Sequence, residues 1–188
     1  LAAAHRFAAA GCNLVLSGFD ETQNIATLQR EIENRHSVRT IYSAADLRHR
    51  EEIEGMVAAA VDTFGAVDIV VNNAVVRHTA AIEEFDPAEW DVGLAVNVSA
   101  AFHTIRAAMR SMKERKYGRI INIASAHGHV ASPFKSAYVA AKHGIIGLTK
   151  TVALEGAQLN VRCNAISPGY VLTSLVEKQI PDTMKARS

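Results

Sequence analysis

Cysteine is scarce in this sequence, and the two that it has, Cys12 and Cys163, lie far apart. A pair at this separation makes no disulfide framework, and it lacks the close spacing of zinc ligands. The sequence therefore gives no reason to expect a disulfide-stabilised secreted domain or a zinc site. We expect two buried structural thiols, the usual state of free cysteine.

Net charge and long apolar runs are also lacking. The formal charge is +1 and the basic residues are scattered, so nothing favours a nucleic acid or a membrane surface as partner. No apolar run approaches the ~20 residues that span a bilayer, and no signal peptide is recognisable. With 49% hydrophobic residues, the composition is typical of a globular protein. The cytoplasm is the default location.

Short β-type runs alternate with longer helical stretches along the whole chain. This alternation predicts βαβ units and an α/β fold with a parallel sheet, and the continuous apolar character of the runs predicts helices on both sheet faces. The predicted strands are Asn13–Ser17, Val38–Tyr42, Val67–Val71, Arg119–Ile123 and Val161–Ile166, and the predicted helices are Leu1–Gly11, Glu21–Asn34, Arg48–Phe64, Pro87–Arg115 and Ser136–Gly156. No strand precedes the first helix and none closes the end, so we expect a sheet that is incomplete at both ends.

The predicted helix Ser136–Gly156 carries a tyrosine and a lysine four residues apart, Tyr138 and Lys142, which therefore share one face. A nearby lysine ammonium stabilises a phenolate, and a tyrosine tuned in this way can give or take a proton near neutral pH. The same spacing also arises by chance in many helices, so the pair alone does not establish catalysis.

Two further polar residues have both a chemical and a structural interpretation. Ser125 follows the strand Arg119–Ile123, and ligands of open α/β sheets bind at such carboxyl ends. Its hydroxyl could polarise a substrate carbonyl or could cap the following turn. Asn97 stands among apolar residues on a predicted helix, where it could bridge the backbone to a water or be a satisfied structural amide.

In this order along the chain, Asn97, Ser125 and the Tyr138–Lys142 pair resemble the catalytic set of the short-chain dehydrogenase/reductase family. The segments NNA at 72–74, ADL at 45–47 and PGYVLT at 168–173 match the same family in order. The resemblance extends over essentially the whole chain. It implies a single domain over 1–188, folded as a three-layer, Rossmann-like, doubly wound parallel sheet.

The resemblance also implies a role for each residue of the set. Tyr138 is the general acid and base for an alcohol/carbonyl pair, and Lys142 favours the ionised tyrosine and holds the nicotinamide ribose. Ser125 orients the substrate oxygen, and Asn97 supports a proton-relay water. Hydride passes between the substrate carbon and a nicotinamide cofactor, while the protein supplies position and electrostatics.

The cofactor that we expect is NAD, with NADP the less favoured choice. The acidic Asp20 follows the second expected strand of the family, where it would repel a 2′-phosphate, although it could equally cap the next helix. Asp46 likewise could flank the adenine or cap the helix near Arg48. The family's glycine-rich phosphate loop should stand just before Leu1. The resemblance implies that the cofactor contacts Phe19, Asp46, Leu47, Asn73, Ala74, Tyr138, Lys142, Pro168, Gly169, Val171 and Thr173.

The chain is most similar to the D-3-hydroxybutyrate dehydrogenase branch of that family, which implies a small hydroxy or keto acid as substrate. His127, Lys135 and Gln179 match carboxylate-binding positions of the branch, with Tyr170 nearby. Lys135 could instead be a solvated loop lysine. Val75 and Arg77 replace the glycine and the glutamine that the branch usually carries. We expect the Arg77 guanidinium to bind the substrate carboxylate, of 3-hydroxybutyrate or of a longer or more acidic acid.

The helix Ser136–Gly156 is apolar or small on nearly every side, and such a helix is buried. The resemblance implies a homodimer or homotetramer that forms through this helix and Pro87–Arg115. Two other functions stay open: a reductase of another carbonyl substrate, such as a 3-ketoacyl thioester, sugar or polyol, or a catalytically silent dinucleotide-binding protein.

Overall fold

The structure is a computed structural model that describes residues 1–18 and 22–171. The chain divides into two compact units, Leu1–Val67 and Asp68–Ser188. Each unit contains parallel strands connected through helices, as the alternating sequence pattern predicts.

The first unit contains two parallel strands and three helices. Its elements are α1 (Ala2–Ala9), β1 (Leu14–Ser17), α2 (Thr22–His36), β2 (Thr40–Ser43) and α3 (Arg50–Phe64). The strands pair in register from Leu14 opposite Thr40 to Ser17 opposite Ser43. Ala8, Ile32 and Val38 form the buried cluster that joins α1 and α2 to the sheet.

Helix α3 ends at Gly65, which has a φ of 86° and donates its N–H to the carbonyl of Val61. Residues with a side chain rarely adopt this left-handed backbone conformation, so glycine is the residue that ends a helix in this way at least cost. The position of the helix end was therefore readable from the sequence. The predicted start at Arg48 was two residues early, because α3 begins at Arg50.

The second unit contains a three-stranded parallel sheet in the order β3–β4–β5. The strands are β3 (Ile69–Asn72), β4 (Gly118–Ile123) and β5 (Val161–Ile166), and the helices are α4 (Pro87–Leu94), α5 (Ala100–Glu114) and α6 (Ser136–Gly156). Asn72 pairs with Asn122, which pairs with Ala165 on the other side. The register therefore brings the carboxyl ends of all three strands to one edge.

The single helix predicted over Pro87–Arg115 is interrupted by a π-helical segment, Ala95–Ser99, between α4 and α5. The wider turn lies around Asn97, the polar residue within that apolar stretch. Single π-turns within α-helices are often found at functional sites. The periodicity of the sequence does not show this interruption, because one inserted turn changes the apolar pattern very little.

Helix α6 is apolar on most sides, and the described part of the chain buries one of its faces. Ala141, Ile145 and Val152 are buried, whereas Ala140, Gly144 and Leu154 are exposed, with Leu154 at 80%. The buried face contacts β5 and contributes Ile145 to the core cluster with Ala101 and Ala124. One side of α6 therefore packs on the sheet, as its sequence predicts, and a second copy of the chain as cover for the other side stays a prediction.

Among the described residues, no helix combines the length and the apolar character that a membrane span requires.

Candidate active site

The loops that follow the three strands of the second unit meet at the carboxyl edge of the sheet. The N–H of Ala124 donates to the carbonyl of Ile166 at 2.8 Å, and the N–H of Ala126 donates to the carbonyl of Pro168 at 2.9 Å. The loop after β3 is tied to the segment before α6 by Ala80, whose N–H donates to the carbonyl of Phe134 at 3.1 Å. These bonds bring residues from four parts of the chain to one place.

Asn122 is fully buried and connects the strands to α6. Its Oδ1 accepts from Asn72 Nδ2 at 2.8 Å, and its own Nδ2 donates to Thr149 Oγ1 at 2.9 Å. The same amide approaches Cys163 Sγ at 3.6 Å. Such a network fixes the relative position of β3, β4, β5 and α6, since a buried amide without partners costs free energy.

Asn122 was not among the predicted site residues, although its position within the apolar run RIINIA was a signal that could have been used. Of the two adjacent asparagines after the third apolar run, Asn72 is the one whose side chain joins neighbouring strands. Asn73 is exposed.

Burial raises the pKa of the Cys163 thiol to about 11, although hydrogen bonds with Thr149 and Asn122 act in the opposite direction. Cys163 is 4% exposed and Cys12 is half-buried, and both are free thiols. The predicted buried structural thiol is therefore found at Cys163 and only partly at Cys12.

Asn97 is 3% exposed and holds the loop after β3 in place. Its Oδ1 accepts from the N–H of Val76 at 3.0 Å, and its Nδ2 donates to the carbonyl of Val76 at 2.9 Å. Both bonds reach the residue immediately before Arg77. The π-helical segment and its asparagine thereby position that arginine.

Ser125 has the capping bond that was the alternative to a catalytic role. Its Oγ accepts from the N–H of His127 at 3.2 Å and begins the 3-10 turn Ala126–Gly128. The hydroxyl keeps its own proton as a donor, because the capping bond uses it only as an acceptor. The turn lies tightly against α6, since a Cβ added at Gly128 would stand 2.7 Å from the carbonyl oxygen of Lys142.

Tyr138 and Lys142 are both buried, at 6% and 3% exposure, on the covered face of α6. The Lys142 Nζ donates to the carbonyl of Ile123 at 2.6 Å and lies 5.7 Å from the centre of the Tyr138 ring. Burial is the larger cause that lowers the pKa of Lys142 to about 8, and the positive charge of Arg77 lowers it further.

Arg77 contacts Tyr138 directly. Its Nη2 donates to the Tyr138 hydroxyl at 3.3 Å, and its Cζ lies 4.9 Å from the centre of the ring. The two residues are 61 positions apart in the sequence. Arg77 was predicted to bind the substrate carboxylate, and its contact with the tyrosine was not predicted.

Of the further predicted substrate residues, His127 stands beside this pair and Tyr170 contacts His127. The His127 ring meets the Tyr138 ring edge-on at 6.1 Å and the Tyr170 ring at 6.4 Å. Tyr170 itself is 72% exposed. Lys135 is half-buried at the start of α6, where its carbonyl accepts from the N–H of Val139 at 2.9 Å.

The predicted cofactor residues fall into three sets. Asn73, Ala74, Pro168, Gly169 and Val171 lie in the loops at the carboxyl edge, and most of them are exposed. Asp46 and Leu47 belong to the first unit. Phe19 and Thr173 lie outside the described residues, as do Asp20 and the predicted substrate residue Gln179.

Asp46 forms a turn rather than the helix cap considered above. Its Oδ1 accepts from the N–H of Arg48 at 2.9 Å, while His49 occupies the cap position of α3 without a side-chain bond. Hydrogen bonds from the side chain and the backbone of Arg48 lower the pKa of the Asp46 carboxyl to about 2. Val75 does not need the positive φ that glycine would allow, since the non-glycine residues with positive φ in the described ranges are Ser37, Lys116, Phe134 and Asn160.

Comparison with known proteins identifies the family. The family model described as short chain dehydrogenase matches residues 1–183. The chain is a short-chain dehydrogenase. As the resemblance implied, it is an oxidoreductase of the alcohol dehydrogenase type.

Two curated relatives of this short-chain dehydrogenase carry the name D-beta-hydroxybutyrate dehydrogenase. The protein from Rhizobium meliloti is 55% identical over 187 residues, which cover 100% of this chain and 72% of the relative. The protein from Cupriavidus necator is 49% identical over 180 residues, which cover 96% of this chain and 69% of the relative. The resemblance to this branch, first made on short motifs, is confirmed.

A solved structure has the same fold. The crystal structure titled NAD+-bound xylitol dehydrogenase superposes with a TM-score of 0.89 at 32% sequence identity, covering 98% of this chain and 71% of the other. This likeness confirms the Rossmann-like arrangement of helices and parallel strands, and it supports a nicotinamide dinucleotide as the cofactor of the short-chain dehydrogenase.

Proposed function

We propose that this short-chain dehydrogenase uses NAD to interconvert the secondary alcohol of a small hydroxy acid, such as 3-hydroxybutyrate, and the corresponding ketone. The observation that carries the proposal is the buried Tyr138 hydroxyl on the same helix face as the Lys142 amine. The two relatives named D-beta-hydroxybutyrate dehydrogenase support the substrate class. A single catalytic domain over residues 1–188 is part of the proposal, supported by the length of the family match.

In the proposed reaction, Tyr138 exchanges a proton with the substrate oxygen. When an alcohol is oxidised, the phenolate takes the hydroxyl proton, and when a ketone is reduced, the phenol donates it. Ser125 donates a hydrogen bond to the same oxygen, and Lys142 favours the ionised tyrosine. Asn97 holds the backbone at Val76, so that its contribution includes the shape of the loop beside the tyrosine.

The residues at the carboxyl edge suit a dinucleotide. Asn73 and Ala74 are exposed after β3, and a Cβ added at Gly169 would meet nothing within 4 Å, so the backbone there is open to a flat ring. Pro168, Val171 and Thr173 are proposed to contact the nicotinamide, and the family resemblance assigns the adenine contacts to Phe19, Asp46 and Leu47. The bound cofactor supplies the hydride acceptor. The acidic Asp20 favours NAD over NADP because it would repel a 2′-phosphate.

The substrate carboxylate is proposed to bind Arg77, His127, Lys135, Tyr170 and Gln179. Arg77 and His127 both contact Tyr138, so a group that they held would lie next to the reacting oxygen. Guanidinium and ammonium groups are good partners for a carboxylate. A hydroxy acid is therefore favoured over the neutral sugar, polyol or thioester alternatives.

We also propose that the dehydrogenase is a homodimer or homotetramer. The exposed face of α6, with Leu154 80% exposed, and Phe102 of α5, 47% exposed, are the surfaces that a second copy would cover. The mass in solution, measured by light scattering, tests this assembly. A mass equal to one chain would contradict it.

The function itself is tested by following NAD reduction with a panel of hydroxy acids, polyols and neutral secondary alcohols. We expect the highest kcat/KM for a small hydroxy acid. The Tyr138→Phe variant, which keeps the ring and removes the proton-carrying oxygen, should lose at least ~100-fold in kcat, the lower range of acid–base contributions. Activity that survives this change would refute the mechanism, whereas a preference for polyols would refute only the substrate class.

A further inference from the structure

Arg77 has a position in the site that carboxylate binding alone does not explain. Its guanidinium donates to the Tyr138 hydroxyl at 3.3 Å and stacks over the ring at 4.9 Å. By contrast, the Lys142 amine donates to the carbonyl of Ile123 and lies 5.7 Å from the ring centre. Of these two cations, Arg77 is the one with a hydrogen bond to the reacting oxygen.

We propose that Arg77 is a positioning residue that sets the ionisation of Tyr138 in this dehydrogenase, by donating a charge-assisted hydrogen bond to the phenolic oxygen. The bond favours the phenolate, because a positive donor interacts more strongly with a charged oxygen than with a neutral one. The inference rests on the proposed role of Tyr138 as acid and base. It adds a function to the residue expected to bind the carboxylate, and a guanidinium with five N–H donors can serve both partners.

The loop around Arg77 is built in a way that supports this function. Asn97 fixes both the N–H and the carbonyl of Val76, and the bond from Ala80 to Phe134 ties the other end of the loop to the segment before α6. His78, the next residue, is directed away to Glu89, with 3.8 Å between Nδ1 and Oε2. The arginine is thus held from both sides while its head group reaches Tyr138.

The ionisable groups that face Tyr138 come from three elements besides the arginine loop. Lys142 lies on the same helix, His127 stands in the turn after β4, and Tyr170 contacts His127 from the loop after β5. The positive charge of Arg77 lowers the pKa of Lys142, so the two cations are close enough to interact. Replacing Arg77 with a neutral residue would raise the pKa of Lys142 and partly compensate for the lost charge.

The direct test is a titration of tyrosinate absorbance. The chain has four tyrosines, so the signal of Tyr138 is obtained by subtracting the Tyr138→Phe variant. The same subtraction between Arg77→Gln and the double variant Arg77→Gln/Tyr138→Phe gives the signal without the arginine. We expect the midpoint to lie at higher pH in Arg77→Gln, because the charge-assisted bond to the phenolic oxygen is lost. The midpoint of Arg77→Lys, which keeps the charge without the planar guanidinium, should lie between those of the wild type and Arg77→Gln.

Activity provides a second readout that separates the two functions of the arginine. With a neutral secondary alcohol as substrate, the acid limb of kcat/KM should move to higher pH in Arg77→Gln, so that activity on that limb falls about tenfold and recovers at alkaline pH. A carboxylate anchor alone would raise the KM for hydroxy acids and leave this limb in place. Arg162→Gln removes the same charge from the opposite end of the sheet and should leave both readouts unchanged.

Equal midpoints in the two tyrosinate titrations would overturn the inference, even if the enzyme oxidises hydroxy acids as proposed. The titration needs no turnover, so failure of the proposed substrate would not affect it. Arg77 is exposed, and its replacement leaves no cavity in the core. Circular dichroism checks that each variant is folded. If Arg77→Gln does not fold, the midpoint of Arg77→Lys is compared with that of the wild type.

Discussion

Replacing Lys142 by methionine should stabilise the protein at neutral pH and remove a pH dependence. The ammonium is 3% exposed, and burial together with the charge of Arg77 lowers its pKa from 10.5 to about 8. That gap corresponds to a cost of about 3 kcal/mol for the charged form at ~1.4 kcal/mol for each pH unit. Methionine has a similar length and no charge, so it avoids this cost.

The sign and the pH range follow from which state binds the proton. Between pH 8 and 10.5 the unfolded chain keeps the Lys142 proton that the folded chain releases, so the free energy of unfolding rises with pH. Below pH 8 both states are protonated and the cost is constant. The variant also loses the bond from Lys142 to Ile123, worth about 1 kcal/mol. Lys142→Met should therefore be about 2 kcal/mol more stable at pH 7 and about 1 kcal/mol less stable above pH 10.5.

Urea unfolding followed by circular dichroism at several pH values measures the pH at which Lys142→Met changes from more stable to less stable than the wild type. Cys163 contributes an opposite slope between pH 9 and 11, because burial raises its pKa to about 11, but the contribution is common to both proteins and cancels in the difference. Lys150→Met, an exposed change on the same helix, is the control and should give a curve parallel to wild type. Parallel curves for Lys142→Met and wild type would refute the buried, perturbed lysine.

Two more predictions test how the site is held. Gly128→Ala places a Cβ 2.7 Å from the Lys142 carbonyl oxygen, so thermal unfolding should show a stability lower by about 1–3 kcal/mol, together with a lower kcat. In the control Gly55→Ala, the added Cβ meets nothing within 4 Å on the exposed side of α3, so the stability should rise by up to ~1 kcal/mol. A double-mutant cycle of Asn72→Ala and Asn122→Ala should give a coupling of about 1 kcal/mol in urea unfolding, and additive effects would show that their 2.8 Å bond contributes nothing.

Local pattern accounts for most of what could be predicted about the fold. The strand Val161–Ile166 and the helix Ser136–Gly156 were predicted with the bounds that the structure has, because each has a clear period and a clear end. The four earlier strands differ from the prediction by one or two residues at one or both ends. The π-helical segment at Ala95–Ser99 was missed, because the apolar pattern continues through it.

The candidate site was predicted in part. Tyr138 and Lys142 share the buried face of α6, as their spacing requires. Asn97 and Ser125 were recognised as residues, but their partners, Val76 and the N–H of His127, depend on how loops pack and could not be read from the sequence. Their catalytic roles stay predictions.

The sequence by itself determined the parallel α/β architecture, the family and the shared face of Tyr138 and Lys142, because periodicity and short spacings carry that information locally. Only the tertiary structure decided that Arg77 meets the Tyr138 hydroxyl across 61 positions and that Asn122 meets Asn72 across 50. Contacts between residues so distant in the chain depend on strand register and on the path of loops. No local period encodes either of these, so the electrostatic environment of Tyr138 becomes visible only once the chain is folded.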